Sequence, residues 1–332
     1  MHADPLPTVI MVGIRFAVFA AQALLFGMAL IVPFVARPAF AASEETSAEG
    51  RSRVSRRLAR ILFGALIVAL VGSGVVFYNQ ILIAGQVGDI DRFFDATNSV
   101  LASSFGQWYA FRVALCVALA LALWDRVRSW ALAGAGGADT RPPVRWWAGW
   151  AALSLALLAT ISLSGHAAGA DRRALAVTND VVHLGAGAIW MSGILLLIFV
   201  LPAAFTAAHP GQELSILAPA VDRFAPIAFG SIAIVAATGV LNAFLHVAAL
   251  EDLVGSGYGR ALTVKLCGFV CILALGALNH FVFRKRLVRA RARKEPTSAS
   301  RSLRRSVALE VAVAVMILGA TSTLVGLPPT KS

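Results

Sequence analysis

Charge is scarce in this chain. Only 14% of its 332 residues are Asp, Glu, Lys or Arg, while 58% are hydrophobic and the mean hydropathy is +0.78. A soluble domain of this length could not cover its surface with so few ionic groups, so a globular cytosolic fold is excluded and a polytopic membrane protein is implied. Cysteine is scarcer still: Cys116, Cys267 and Cys271 are the whole complement, and each lies inside an apolar run. Cysteines so placed make no disulfide framework. The chain has no C-x-x-C-H for covalent haem, no glycine-rich phosphate loop and no pair of acids set for hydrolysis, so no enzyme is expected.

Apolar runs fill the space that charge leaves. Eight of them reach or approach the ~20 residues that cross ~30 Å of hydrocarbon as helix. They run from Thr8 to Val35, Leu58 to Ala84, Phe105 to Trp124, Trp146 to Gly165, Asn179 to Phe205, Phe224 to Leu250, Ala261 to Phe283 and Val307 to Leu327. They lack period-two alternation and are much longer than the ~10 residues of a barrel strand. The expected fold is all-α: one transmembrane helix bundle over residues 1–332 with about eight spans.

The 29 Lys plus Arg outnumber the 17 Asp plus Glu, but the surplus sits in alternate loops. Arg51, Arg53, Arg56 and Arg57 follow the first run, Arg126, Arg128, Arg141 and Arg145 the third, and Arg284, Lys285, Arg286, Arg289, Arg291, Arg293 and Lys294 the seventh. The positive-inside rule makes these loops cytoplasmic. The basic stretch 284–306 is then a solvated loop facing anionic lipid, not a nucleic-acid surface. The intervening loops carry Asp89, Asp91 and Asp95, then Asp171 with Arg172 and Arg173, then Glu251 and Asp252, so they face outward, as do both termini. Ala36 to Ala42 looks like a signal-peptide cleavage site, yet the run before it far exceeds an h-region of about 7–15 residues, and cleavage would invert every later loop. The first run is read as a span.

With that orientation, polar groups collect in one outer layer. His166 closes the fourth run, and Asp180 and His183 share a face in the first two turns of the fifth through their i, i+3 spacing. His246 lies one turn below the outer end of the sixth, with Asn242 a turn deeper, and Lys265 lies just over one turn into the seventh. Ionisable groups at the edge of hydrocarbon are costly and point to function. Imidazole suits copper, zinc, iron and nickel, and a carboxylate either ligates or orients an imidazole. His166, Asp180, His183 and His246 are therefore the expected metal ligands, against the plainer reading of interfacial hydrogen-bonders. Lys265 either pairs with Asp180 or Asp252 or snorkels outward.

Trp190 and Met191 continue the His183 face inward, with Gly187 between them free to admit a neighbouring helix. Met191, Cys267 and Cys271 could form a second station for Cu(I); as plain packing residues they would be small or flexible buried fillers. His209 and His280 fall on the cytoplasmic side and His2 in the N-terminal tail.

The run Ser164-Gly165-His166-Ala167, then Asp180-Val-Val-His183 and Ala188-Ile-Trp190-Met-Ser-Gly193, resembles the central segment of the copper-resistance protein D (CopD) family. Arg223-Phe224, Thr238-Gly239, Tyr258-Gly259-Arg260, Lys265-Leu266 and Asn279 resemble the rest of that family's domain, and Arg15-Phe16 with Leu25-Phe26-Gly27 its first helix. The resemblance covers nearly the whole chain and is most specific over 146–283. Family members usually read Trp-x-Gly-Gly where this chain has Trp190-Met-Ser192-Gly193. The resemblance implies a multi-pass protein of the bacterial inner membrane that takes part in copper homeostasis and moves copper ion from periplasm to cytoplasm. Both termini and the ligand layer would then be periplasmic. No copper-binding domain of the copper-resistance protein C type is fused here, so a separate periplasmic donor of that type is the implied partner. Two other classes stay open: a membrane cytochrome holding haem b between His183 and His246, and a non-transporting assembly or sensory protein.

The loop charges generate a direct test. Reporter fusions after Arg57, Arg145 and Lys294 should report cytoplasm, and fusions after Asp95, Arg173 and Asp252 the opposite side. A cytoplasmic signal after Arg173 would put the histidine layer on the wrong face.

Overall fold

The computed structural model describes residues 6–42, 48–85, 90–133, 143–165, 172–204, 212–246 and 256–278, with scattered helical residues between 309 and 321. All regular structure among them is helical. Helix α1 covers Thr8–Ala41, with a π-helical stretch Val32–Ala36 where Pro33 removes a backbone donor. Then follow α2 (Ala48–Gly85), α3 (Ile90–Ala102), α4 (Ser104–Ala133) and α5 (Val144–Leu163). Helix α6 covers Arg173–Ala204, loosening to π over Leu196–Val200 and tightening to 3-10 over Leu201–Ala204. Helices α7 (Gln212–His246) and α8 (Gly257–Leu278) complete the described bundle.

Six of these helices, all but α3 and α4, are long and apolar enough to cross a membrane. The chain is thus a helical membrane protein. The eighth apolar run lies mostly outside the described residues.

Helix ends differ from the apolar runs because hydropathy marks contact with lipid, whereas the backbone ladder continues until something breaks it. Nothing between Arg173 and Thr178 breaks a helix, so α6 starts at Arg173 and not at Asn179. Asp180 therefore lies about two turns into its helix and not in the first, a shift of roughly 9 Å at 1.5 Å per residue. Likewise α7 begins at Gln212, well before Phe224, despite Pro219 and Pro226. Helix α3 has no long apolar run to announce it. It folds because Phe93, Ala96 and Val100 make a short stripe that packs on Ile81 of α2.

Helix α1 is the axis of the bundle: 61% of its most apolar window is buried, against 11% for α7 and 17% for α8. Leu25, Met28, Ile31 and Val35 are fully buried along one side of it. The buried Trp150 of α5 donates its indole N–H to the Leu25 carbonyl at 3.0 Å. Helix α6 crosses α1 at Gly27, where a Cβ would strike the Ala188 carbonyl and Ser192 Oγ, and α7 meets α6 at Gly193, where a Cβ would strike the Phe224 ring. Gly187 is a correction: a Cβ there would meet nothing within 4 Å. The face that α6 turns to α1 is set by Gly185, Ala188 and Ser192, and Gly187 lies off that stripe. At the far end, Arg53 of α2 donates to the Ala203 and Ala204 carbonyls at 3.1 and 3.3 Å and pairs with Glu49 at 2.7 Å, capping α6.

The glycine contacts separate close packing from open surface. Gly27→Val should overpack the α1–α6 crossing, at a cost of about 1–3 kcal/mol. Gly187→Ala should leave the melting temperature in detergent unchanged. Equal melting temperatures for the two variants would contradict the packing described.

Candidate metal site

The site lies at the end of the bundle that carries the α5–α6 connection, called here the upper end. Asp180 and His183 project from α6, and each is held by a different neighbouring helix. Ser162 of α5 donates its hydroxyl to Asp180 Oδ2 at 2.5 Å. His183 Nδ1 lies 2.9 Å from Thr238 Oγ1 of α7. The Thr238 hydroxyl donates its single proton to the Ile234 carbonyl at 2.5 Å, so toward His183 it can only accept. That network assigns a proton to Nδ1, so in the neutral imidazole the lone pair is on Nε2. This is the neutral tautomer that binds metals, with its other nitrogen anchored.

The backbone makes room for this arrangement. A Cβ at Gly239 would stand 3.5 Å from His183 Cε1 and 3.9 Å from Nδ1, so the residue after Thr238 lets α7 pass directly against the ring. One turn above His183, the buried Asn179 donates to the Thr238 carbonyl at 3.0 Å and to Asn242 Oδ1 at 2.8 Å. Asn242 thus tightens the α6–α7 seam. Lys265 of α8 is half-buried and close enough to Asp180 and His183 for its charge to act on both. Four helices, α5 to α8, therefore contribute to one polar layer.

Two of the four expected ligands are described, and they form this core. His166 lies in the connection 166–171, outside the described residues; Ser162, which holds Asp180, stands four residues before it in the sequence. His246 is the last described residue of α7, and its side chain lies outside the described residues. Among the described residues no group of three or more His, Cys, Asp or Glu side chains converges. Asp252, His2, His209 and His280 are also outside. Trp190 packs against the main apolar core, and Met191 beside it is half-buried. Cys267 and Cys271 share a face of α8 that is exposed, so they are not the buried fillers expected from their apolar setting.

Four contributors escape a search for ionisable ligands. Ser162, Asn179 and Thr238 are neutral, although Asn179 stands four residues before His183 and Thr238 four before Asn242, on shared helix faces. Arg112 of α4 is the fourth, buried inside an apolar run. Its Nε donates to Thr160 Oγ1 at 2.8 Å and its Nη2 to the Thr160 carbonyl at 3.0 Å and Ser164 Oγ at 3.1 Å. The guanidinium also stacks 4.2 Å from the Tyr109 ring centre. It secures the end of α5 from which Gly165 and His166 continue.

Fold and site together define a multi-span helical membrane protein with an anchored imidazole and a carboxylate in one polar layer, a donor set suited to a cation. Residues 4–175 match the family model of the copper resistance protein D-like N-terminal domain, and residues 218–324 that of copper resistance protein D. The chain belongs to the copper resistance protein D family. It is 26% identical over 333 residues to copper resistance protein D of Pseudomonas syringae pv. tomato, covering 98% of this chain and 97% of that protein. It is 28% identical over 224 residues to copper transport protein CutJ of Bacillus subtilis (strain 168), covering 68% of this chain and 37% of that protein. The chain therefore spans little more than a third of that longer relative. No solved structure matches it.

The tautomer argument is open to test at Thr238. Thr238→Val keeps the shape of the side chain and removes the acceptor that fixes Nδ1–H. Metal affinity of the purified protein should fall about 10–100-fold, as when other partners that orient a ligating histidine are removed. Unchanged affinity in a metal titration would mean that Thr238 does not orient a ligand.

Proposed function

We propose that this protein carries copper across the bacterial inner membrane from periplasm to cytoplasm, with the layer around His183 as its entry site. One observation supports this above the others: His183 is held through Nδ1 by Thr238, which keeps Nε2 as the metal-binding nitrogen, on the same helix as the Asp180 carboxylate one turn away. Imidazole nitrogen is a good donor to copper in either common oxidation state. Asp180 supplies the negative charge that attracts a cation, and Lys265 balances that charge when no cation is bound. His166 and His246 complete the ligand set. The names of both relatives, a copper transport protein and a copper resistance protein, agree with copper as the cargo.

In this reading the chain has eight spans with both termini periplasmic, so the upper end faces the periplasm and the basic loop 284–306 the cytoplasm. A periplasmic copper-binding protein of the copper-resistance protein C type delivers the ion. The protein is a carrier and not an enzyme. Its sequence has no nucleotide-binding loop, so the ion moves down a gradient, by coupling to another ion, or by hand-over from the donor.

The test is copper bound per protein together with cellular copper accumulation. His183→Ala and His166→Ala should each lower both, and the double variant should be little worse than either single one if both nitrogens hold one ion. Asp180→Asn should weaken binding about 10–100-fold without abolishing it. Full copper occupancy in both histidine variants at normal expression would reduce these residues to interfacial hydrogen-bonders. A stoichiometric Soret band in the purified protein would replace the copper reading with haem.

A further inference from the structure

Opposite the upper end, Arg53 caps α6 at Ala203 and Ala204 and marks the lower end of the bundle. Between the two ends, α1, α6 and α7 do not close completely on one flank. They leave a groove of about 500 Å³. Ile31 of α1, itself fully buried, lies at its base, with Leu30 of α1, Ile189 of α6 and Ile227 of α7 beside it. Phe34, 62% exposed, and the exposed Pro226 form its rim. The remaining lining residue is Arg223.

Helix α1 runs downward beside α6, and α7 returns upward from Gln212. Phe34 and Arg223 are therefore the lowest lining residues of their helices. Phe224 touches Gly193, so Ile189 stands about one turn above Arg223. The groove is apolar along its height and cationic at its foot. That foot lies near the charged zone of the lower end. Arg60, the last arginine of the α2 cluster, is exposed and stands seven residues, about 10 Å, above Arg53. Gly193 stands eleven residues, about 16 Å, above Ala204. Arg223 is thus only about 6 Å above the level of Arg60, a height from which a long basic side chain snorkels to the interface. It is exposed and makes no hydrogen bond or ion pair among the described residues. Asp222, next to it in sequence, points about 100° away around the helix.

The lining chemistry selects the occupant. An extended peptide does not suit it, because its backbone N–H and C=O groups would find no partners along apolar walls. A hydrocarbon chain does, and the groove falls within the roughly 300–1,000 Å³ of ordinary ligand pockets. The guanidinium at the foot calls for a phosphate, which its planar fork binds bidentately. A phospholipid joins an acyl chain to a phosphate at one end, as the groove requires. Net negative charge on that lipid suits a foot set close to a cluster of arginines.

We propose that the α1–α6–α7 groove binds an anionic phospholipid of the lower leaflet, with one acyl chain against Ile31, Ile189 and Ile227 and its phosphate on Arg223. The lipid fills the gap between α1, the axis of the bundle, and α7, which carries Thr238 and through it holds His183. It steadies the lower half of the helix whose upper half orients the imidazole. The inference rests on the groove and its charge and is independent of the copper assignment.

The test uses the full chain, purified in neutral detergent, with phosphatidylglycerol, phosphatidylcholine or inorganic phosphate added separately. Phosphatidylglycerol at a hundredfold excess over its dissociation constant should raise the melting temperature by about 5 °C, and the other two should not. Arg223→Gln should lose most of that rise, while Arg60→Gln, outside the groove, should keep it. Ile227→Trp fills the groove and leaves Arg223 in place, so it should lose the rise as well. An equal rise with phosphatidylcholine would remove the role of charge, and a rise with inorganic phosphate alone would mean a free anion and no acyl chain. Either result overturns the proposal, as does a full rise in both Arg223→Gln and Ile227→Trp. A cryo-EM map in lipid nanodiscs that shows the groove filled by a second copy or by another part of this chain overturns it too.

Discussion

Inside hydrocarbon a polar group must find its hydrogen bonds within the protein, and this constraint organises the bundle. The charged and amide side chains of α6 meet it by reaching across helix seams: Asp180 to Ser162 of α5, His183 to Thr238 of α7, Asn179 to the carbonyl of Thr238 and the amide of Asn242. Each bond satisfies a costly group and joins two helices. The polar layer is therefore structural before it is functional. Its histidine is pinned through one nitrogen because α7 must pass close by, and the other nitrogen is left available as a consequence.

Close passage depends on small residues. Gly27 lets α1 lie directly on α6, Gly193 admits the Phe224 ring of α7, and Gly239 lets α7 run against the imidazole. Without hydrophobic drive between lipid-exposed helices, contact of this kind and interhelical bonds supply most of the association energy. The two requirements coincide along α6, whose Gly and Ser face meets α1 while its Asn, Asp and His meet α5 and α7. A helix placed so centrally can couple what happens at the upper end to the rest of the bundle. The continuous burial of α1 beside it provides the rigid reference.

Arg112 and Arg53 show how the bundle spends its basic residues beyond topology. Arg112 satisfies the end of α5, from which the segment with His166 continues, and Arg53 satisfies the end of α6 at the opposite pole. Arg53 serves carbonyls that a helix terminus leaves without partners, whereas Arg112 adds to a Thr160 carbonyl that the Ser164 N–H and hydroxyl already bond. Arg53 lies in the basic cluster Arg51 to Arg57, which the structure places in the first turns of α2 and not in a loop, so one side chain meets a targeting need and a folding need together.

Composition and run length alone determined the helical membrane class, the approximate positions of six long apolar helices and the i, i+3 spacing of Asp180 and His183 on one helix. These depend on local chemistry: apolar length, periodicity and the price of charge in lipid. The short amphipathic α3, the early start of α6 at Arg173 and the exposure of Cys267 and Cys271 were not legible, because they depend on what packs against each surface. So did the choice of Gly27, Gly185 and Gly193 over Gly187 as contact glycines, since a helix carries its residues on every side and only a neighbour selects the side that matters. The neutral partners Ser162, Asn179 and Thr238 carry no sequence signal of their own. Only the tertiary structure decided that they surround Asp180 and His183, because hydrogen bonds between residues 18 to 63 positions apart exist only once the helices have packed.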